Sequence, residues 1–135
     1  MGRPVEREAI TASVPARAEF VHVLRAVTAA VASRLQIPYD GIEDLRLAVD
    51  EASARLLMLR TEARSLTLRL EPYDDRLEIV VCVEASVGEW PAPGLEETLA
   101  WTVLVALVDA VRPETDRDGP SIRMVKRRAS VTSDR

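Results

Sequence analysis

The stretch IEDLRLAVDEASARLL, residues 42–57, decides how the rest of the chain is read. On a 3.6-residue period Leu45, Val49, Ala52, Leu56 and Leu59 fall along one side, while Asp44, Ala48, Glu51 and Arg55 fall about a quarter turn away. An amphipathic helix is expected, with one face for the core and a separate, more polar line beside it. Asp40 and Gly41 ahead of Ile42 make an N-cap, and Glu43 and Asp44 place negative charge where first-turn amides leave positive potential. Glu51 and Arg55 stand one turn apart in the favourable acid-first order. As a plain exposed ion pair they contribute only about 0.2 to 0.5 kcal/mol.

Upstream, residues 7–14 alternate loosely and stop at Pro15, which suggests an edge strand. From Ala16 a second helical pattern begins, with Phe20, Leu24, Val27, Val31 and Leu35 recurring every three or four residues, and Pro38 closes it. Downstream, Leu66, Leu68 and Leu70 share one face of a strand, and after Tyr73-Asp74-Asp75 the residues Leu77, Ile79, Val81 and Val83 share one face of the next. This is a half-buried hairpin. A loop punctuated by Pro91, Pro93 and Gly94 leads to a helix expected over residues 95–111, which Pro113 ends. The turn signal Asp118-Gly119-Pro120 precedes a last strand at residues 121–126, and a polar tail from Ala129 is expected to be flexible.

The resulting order, β-α-α-β-β-α-β, predicts an α/β two-layer sandwich: a mixed sheet of four or five strands covered by three helices on one face. Residues 1–128 are read as a single domain and 129–135 as a flexible tail.

Composition narrows the function. The 135 residues are 47% hydrophobic and 30% charged, as in a folded globular chain, and the net charge is -4. That balance argues against a nucleic-acid-binding surface, and the run Lys126-Arg127-Arg128 is too short to reverse it. The lone Cys82 lies inside the apolar run 79–83 and reads as a small core residue. With His22 the only histidine, neither a histidine metal cluster nor a Ser-His-Asp triad is expected. No run is long and apolar enough for a membrane span, so a cytoplasmic protein without membrane contact is expected. Trp90 and Trp101 are expected to pack in or around the site described next, with Trp90 a candidate partner anchor.

The string LAVDEASARLL resembles the helix that carries the Glu and Asn of Bergerat-fold ATP-binding proteins. In particular it resembles the anti-sigma-factor serine kinases, small bacterial regulators that hold a stress or sporulation sigma factor away from RNA polymerase. Against the family pattern Leu-Ala-Val-x-Glu-Ala-x-x-Asn-Ala, the residues Leu47, Ala48, Val49, Glu51 and Ala52 match in order, and Arg55 stands at the Asn position. The order of elements is similar too, as is the closing IRMVKR. The resemblance covers most of the chain, from about Glu8 to Arg127, and implies a histidine-kinase-like ATPase fold.

The chain departs from that family where ATP would bind. The family's Asp-x-Gly-x-Gly loop falls on Glu84-Ala85-Ser86-Val87-Gly88, where only Gly88 remains a glycine. Residues 89–94 replace the phosphate lid, and Thr98 and Ala100 stand where glycines would cradle phosphate. Arg55 cannot act as an oxygen ligand for magnesium. The nucleotide-binding remnant is thus Glu51, Arg55, Glu84 and Gly88, with Glu51 the catalytic base if catalysis persists. No cofactor or metal is expected, and any Mg-ATP binding should be weak.

By the resemblance, the early first helix offers a partner surface at Arg17, Glu19 and His22. Three readings follow. The first is a regulator, itself a homodimer, that sequesters a sigma factor and is antagonised by an anti-anti-sigma protein. The second is an active serine kinase that phosphorylates an anti-anti-sigma factor, and the third is a non-enzymatic accessory or scaffold domain.

Overall fold

The computed structural model describes residues 8–59, 62–85 and 88–128. Strand β1 (Ile10–Pro15) is followed by helices α1 (Val21–Arg34) and α2 (Tyr39–Leu57), then by the hairpin of β2 (Ser65–Pro72) and β3 (Arg76–Val83). Helix α3 (Leu99–Leu107) and the strands β4 (Ala110–Asp116) and β5 (Gly119–Arg127) complete the chain. The sheet runs in the order β1-β2-β3-β5-β4. Every pairing in it is antiparallel, so the sheet is not the mixed one expected. The three helices cover one face, and the histidine-kinase-like ATPase fold stands.

Strict alternation builds the core face of the sheet. Leu66, Leu68 and Leu70 of β2, Leu77, Ile79, Val81 and Val83 of β3, and Ile122 and Met124 of β5 are all fully buried. Against them pack Leu24 of α1, Leu45, Val49, Ala52 and Leu56 of α2, and Leu104 of α3. Each such leucine contributes about 1.5 to 3 kcal/mol through burial.

Helix starts and stops differ from the sequence reading in three places. Helix α2 begins earlier: Ile42 donates its N–H to the Pro38 carbonyl at 2.9 Å, and no side chain caps the start. Asp40 therefore lies in the first turn, where its charge meets the free amides, instead of acting as the cap with Gly41. Helix α1 begins later, after a tight turn at Ala18–Phe20, and its buried line is Val21, Leu24, Thr28 and Ala32. The buried Thr28 hydroxyl is satisfied by the Leu24 carbonyl at 2.8 Å. Helix α1 ends because Gln36 adopts a left-handed φ of 63°, which lets Ile37 N–H reach back to the Ala32 carbonyl.

The third difference is a strand that helical spacing conceals. Helix α3 stops at Leu107 and Ala110–Asp116 pairs with β5, so residues 95–111 are not one helix. Pro113 is tolerated because β4 is an edge strand, where a missing N–H costs no ladder bond. Lys126 donates to the Leu107 carbonyl at 3.1 Å and Asp109 accepts the Arg127 N–H at 2.7 Å, which fixes the turn between α3 and β4. The tail from Ala129 lies outside the described residues.

The second face of the sheet carries a lattice of ion pairs. Arg69 meets Glu71 at 2.6 Å, Arg76 meets Glu78 at 2.7 Å, and Arg112 meets Glu114 at 2.6 Å. Arg123 ties the three carboxylates together, reaching Glu71 at 3.1 Å, Glu78 at 2.7 Å and Glu114 at 3.1 Å. Val80 lies between Arg69 and Arg123 in register and is buried, as expected where arginine stems lie along apolar surface.

Candidate functional site

Three places on the fold hold the residues singled out by sequence. The first is the polar line of α2. Glu51 and Arg55 approach to 3.7 Å, each with about 30% of its side chain exposed, so the pair is half-buried and not a free surface pair. The Arg55 Nε is buried without a hydrogen-bond partner. One turn earlier Ala48 is buried, and Asp44 is held by Lys126 at 3.5 Å. Glu51 is therefore paired with a guanidinium, which offers no oxygen to a hard cation. The donor set does not fit Mg-ATP.

The second place is a cleft of about 660 Å³ at one end of the sheet, between the exit of β3 and the β4–β5 turn. Glu84, Gly88 and Trp90 line it, but Glu51 and Arg55 do not. Glu84 accepts a hydrogen bond from Ser65 Oγ at 3.0 Å, and the Trp90 indole N–H donates to the Glu114 carbonyl at 2.8 Å. Around the cleft Glu62, Glu84, Asp116 and Asp118 outnumber Arg64 and Arg117, an electrostatic balance opposed to a triphosphate. Trp101 lies apart from the cleft, buried in the core.

The start of α3 is closed in its own way. Thr98 Oγ1 accepts the Trp101 N–H at 3.2 Å and donates to the Leu95 carbonyl at 2.7 Å. An amide that could face a phosphate is already satisfied by this cap. The signal was present in the sequence as a threonine just ahead of an apolar run.

The third place is the start of α1. Arg17, Glu19 and His22 are all exposed and lie together: Arg17 meets Glu19 at 3.4 Å, and His22 Nδ1–H donates to the Glu19 carbonyl at 2.9 Å. The Arg17 guanidinium also sits 5.2 Å over the Phe20 ring. Glu19 and His22 line a groove between the start of α1 and the end of α2, whose wall is an ion pair in which Arg25 Nη1 donates to both Asp50 oxygens, at 3.1 and 2.9 Å. Sequence spacing alone misses Arg25 and Asp50, because they lie on different helices.

Among the described residues no three metal-ligating side chains gather, and no helix is long and apolar enough to cross a membrane. No protein-family model matches the chain. It is 31% identical over 121 residues to the anti-sigma-F factor RsbW of Mycobacterium tuberculosis, an alignment covering 90% of this chain and 70% of that protein. The chain belongs to the anti-sigma factor and anti-sigma serine kinase family. It is also 37% identical over 76 residues to a serine-protein kinase RsbW of Bacillus cereus, and 40% identical over 75 residues to that of Halalkalibacterium halodurans. Those two alignments span about half of each kinase, 48% and 46%. Within this family, then, the chain carries Arg55, Glu84 and a self-capped α3 at positions where the resemblance places nucleotide contacts.

Proposed function

We propose that this chain binds and sequesters a sigma factor without using ATP, and that an anti-anti-sigma protein releases it. Likeness to a relative named an anti-sigma-F factor along 90% of the chain supports the class of partner. The observation that supports the nucleotide-independent form is the Glu51–Arg55 pair at 3.7 Å, in which Arg55, the residue that the resemblance aligns with the family's Asn, offers no oxygen to a metal ion. Glu84 and Gly88, in a cleft lined by an excess of carboxylates, support the same reading. The start of α1 is assigned as the partner surface, with Arg17, Glu19 and His22 as contacts and the chain acting in the cytoplasm as a homodimer.

Exchanging the two charges, Arg17→Glu with Glu19→Arg, tests that surface cleanly. The variant keeps an ion pair within itself, and both side chains are about two-thirds exposed. Unfolding free energy should therefore change by less than about 0.5 kcal/mol. A partner that reads the charges should bind at least about tenfold more weakly, as expected when charge complementarity is inverted. Unchanged affinity, read by calorimetry on the folded variant, removes this surface from the account.

A further inference from the structure

Helix α3, LAWTVLVAL, contains no charged residue. It buries Ala100, Trp101 and Leu104, and it packs beside α2 near the β4 edge of the sheet. The opposite half of the helix is made of Leu99, Thr102, Val103, Val105 and Ala106, all exposed to solvent. Leu99 is 79% exposed, Val105 57% and Val103 37%. A solvent-facing helix half ordinarily carries charged and polar residues, so an apolar one marks an interaction surface.

The rim says what kind of partner fits. Glu96 and Glu97 precede the helix and make no ion pair among the described residues, and Asp109 follows it. Lys126, which reaches the C-terminal end of the helix, is already engaged by Asp44 and the Leu107 carbonyl. Over residues 95–111 there are three acidic residues and no basic one. A second copy of this chain would set acidic rim against acidic rim whichever way the two helices ran, and an anionic membrane would be repelled likewise.

We infer that the exposed half of α3 docks an amphipathic helix of a partner protein whose apolar stripe is bordered by lysine or arginine. The site lies on a different helix from the proposed sigma-factor surface at the start of α1, and stands or falls independently of it. It fits the helix-in-groove mode, in which apolar anchors recur at helical spacing and flanking charges fix orientation.

The test uses the full chain and a labelled helical peptide with leucines on one face and lysines along its borders, beside a counterpart with glutamates for lysines. The lysine peptide should bind and the glutamate peptide should not. Leu99→Glu with Val105→Glu, at exposed positions, should weaken binding at least about tenfold, as for loss of central apolar anchors. Glu96→Gln with Glu97→Gln should weaken it by a smaller factor. Asp40→Asn with Glu43→Gln, at the start of α2, and the charge exchange at Arg17 and Glu19 should leave it unchanged. Equal loss from the α2 variant would reduce the effect to general attraction between a basic peptide and an acidic protein, and would overturn the site. So would a dimer that Val105→Glu dissociates, binding to zwitterionic vesicles in place of the peptide, or no peptide binding at all.

Discussion

Arg123→Met is expected to lower the unfolding free energy by about 3 kcal/mol, because breaking a largely buried ion network strands the charges left behind. Only 20% of the Arg123 side chain is exposed, and its guanidinium serves Glu71, Glu78 and Glu114 at once. Glu71 and Glu78 stand directly opposite each other in the β2–β3 register, a like-charge pair that Arg123 neutralises. By contrast the exposed Arg17–Glu19 pair contributes at most about 1 kcal/mol. Urea unfolding of the two proteins measures the difference directly. A loss below about 1 kcal/mol would mean that Arg69, Arg76 and Arg112 suffice to hold the lattice.

The same variant should alter the response to acid. Burial by itself would raise the Glu114 carboxyl, but the bonds from Arg123 and Arg112 outweigh it and hold the group below its ordinary 4.5. A carboxyl depressed in the folded state stabilises the fold fully above its unfolded value, and that contribution disappears as pH falls through the folded value. The wild-type chain should therefore lose stability as pH drops below about 4.5, and Arg123→Met should show a shallower acid loss.

Gly119→Ala is expected to cost about 3 kcal/mol or more, since both its backbone angle and its surroundings exclude a side chain. Its φ is 152°, and a Cβ there would collide with the Val83 carbonyl oxygen and lie 2.7 Å from that of Ala85. These neighbours are backbone atoms at the end of β3, so no side-chain rotation relieves the clash. The Ala85 N–H bond to the Asp118 carbonyl should break, and the cleft around Glu84 should widen. Thermal unfolding reads the cost. A Tm within about 2 °C of wild type would show that the β3 exit yields easily.

Much of this architecture was legible in the sequence, and the failures have physical causes. Helix α2 and the β2–β3 hairpin followed from period alone, because their large buried residues, leucine, valine and isoleucine, recur at helical and strand spacing, with the small Ala48, Ala52 and Ser53 filling the rest of the buried side of α2. Strand β4 was hidden because Leu107 and Val111 keep helical spacing, although Val111 in fact packs on the core from a strand. The ion lattice had a signal that periodicity of apolar residues does not use. Arg69-Leu70-Glu71, Arg76-Leu77-Glu78 and Arg112-Pro113-Glu114 each repeat Arg-x-Glu, which in a strand puts both charges on one face. That Arg123 joins all three required the register. At the candidate site, exposure at Arg17 and Glu19 matched expectation, whereas the separation of Glu51 and Arg55 from the cleft at Glu84 depends on how helix and sheet end are placed.

Nucleotide independence is the central claim, and one titration addresses it most directly. The full chain is titrated against each purified sigma factor of its own cell, with and without Mg-ATP, and the Kd is compared. The account predicts at least one sigma factor bound with the same Kd in both conditions. Binding that appears only with Mg-ATP would contradict it, by showing that the Glu51–Arg55 pair opens to admit a nucleotide, and binding to none would contradict sequestration itself.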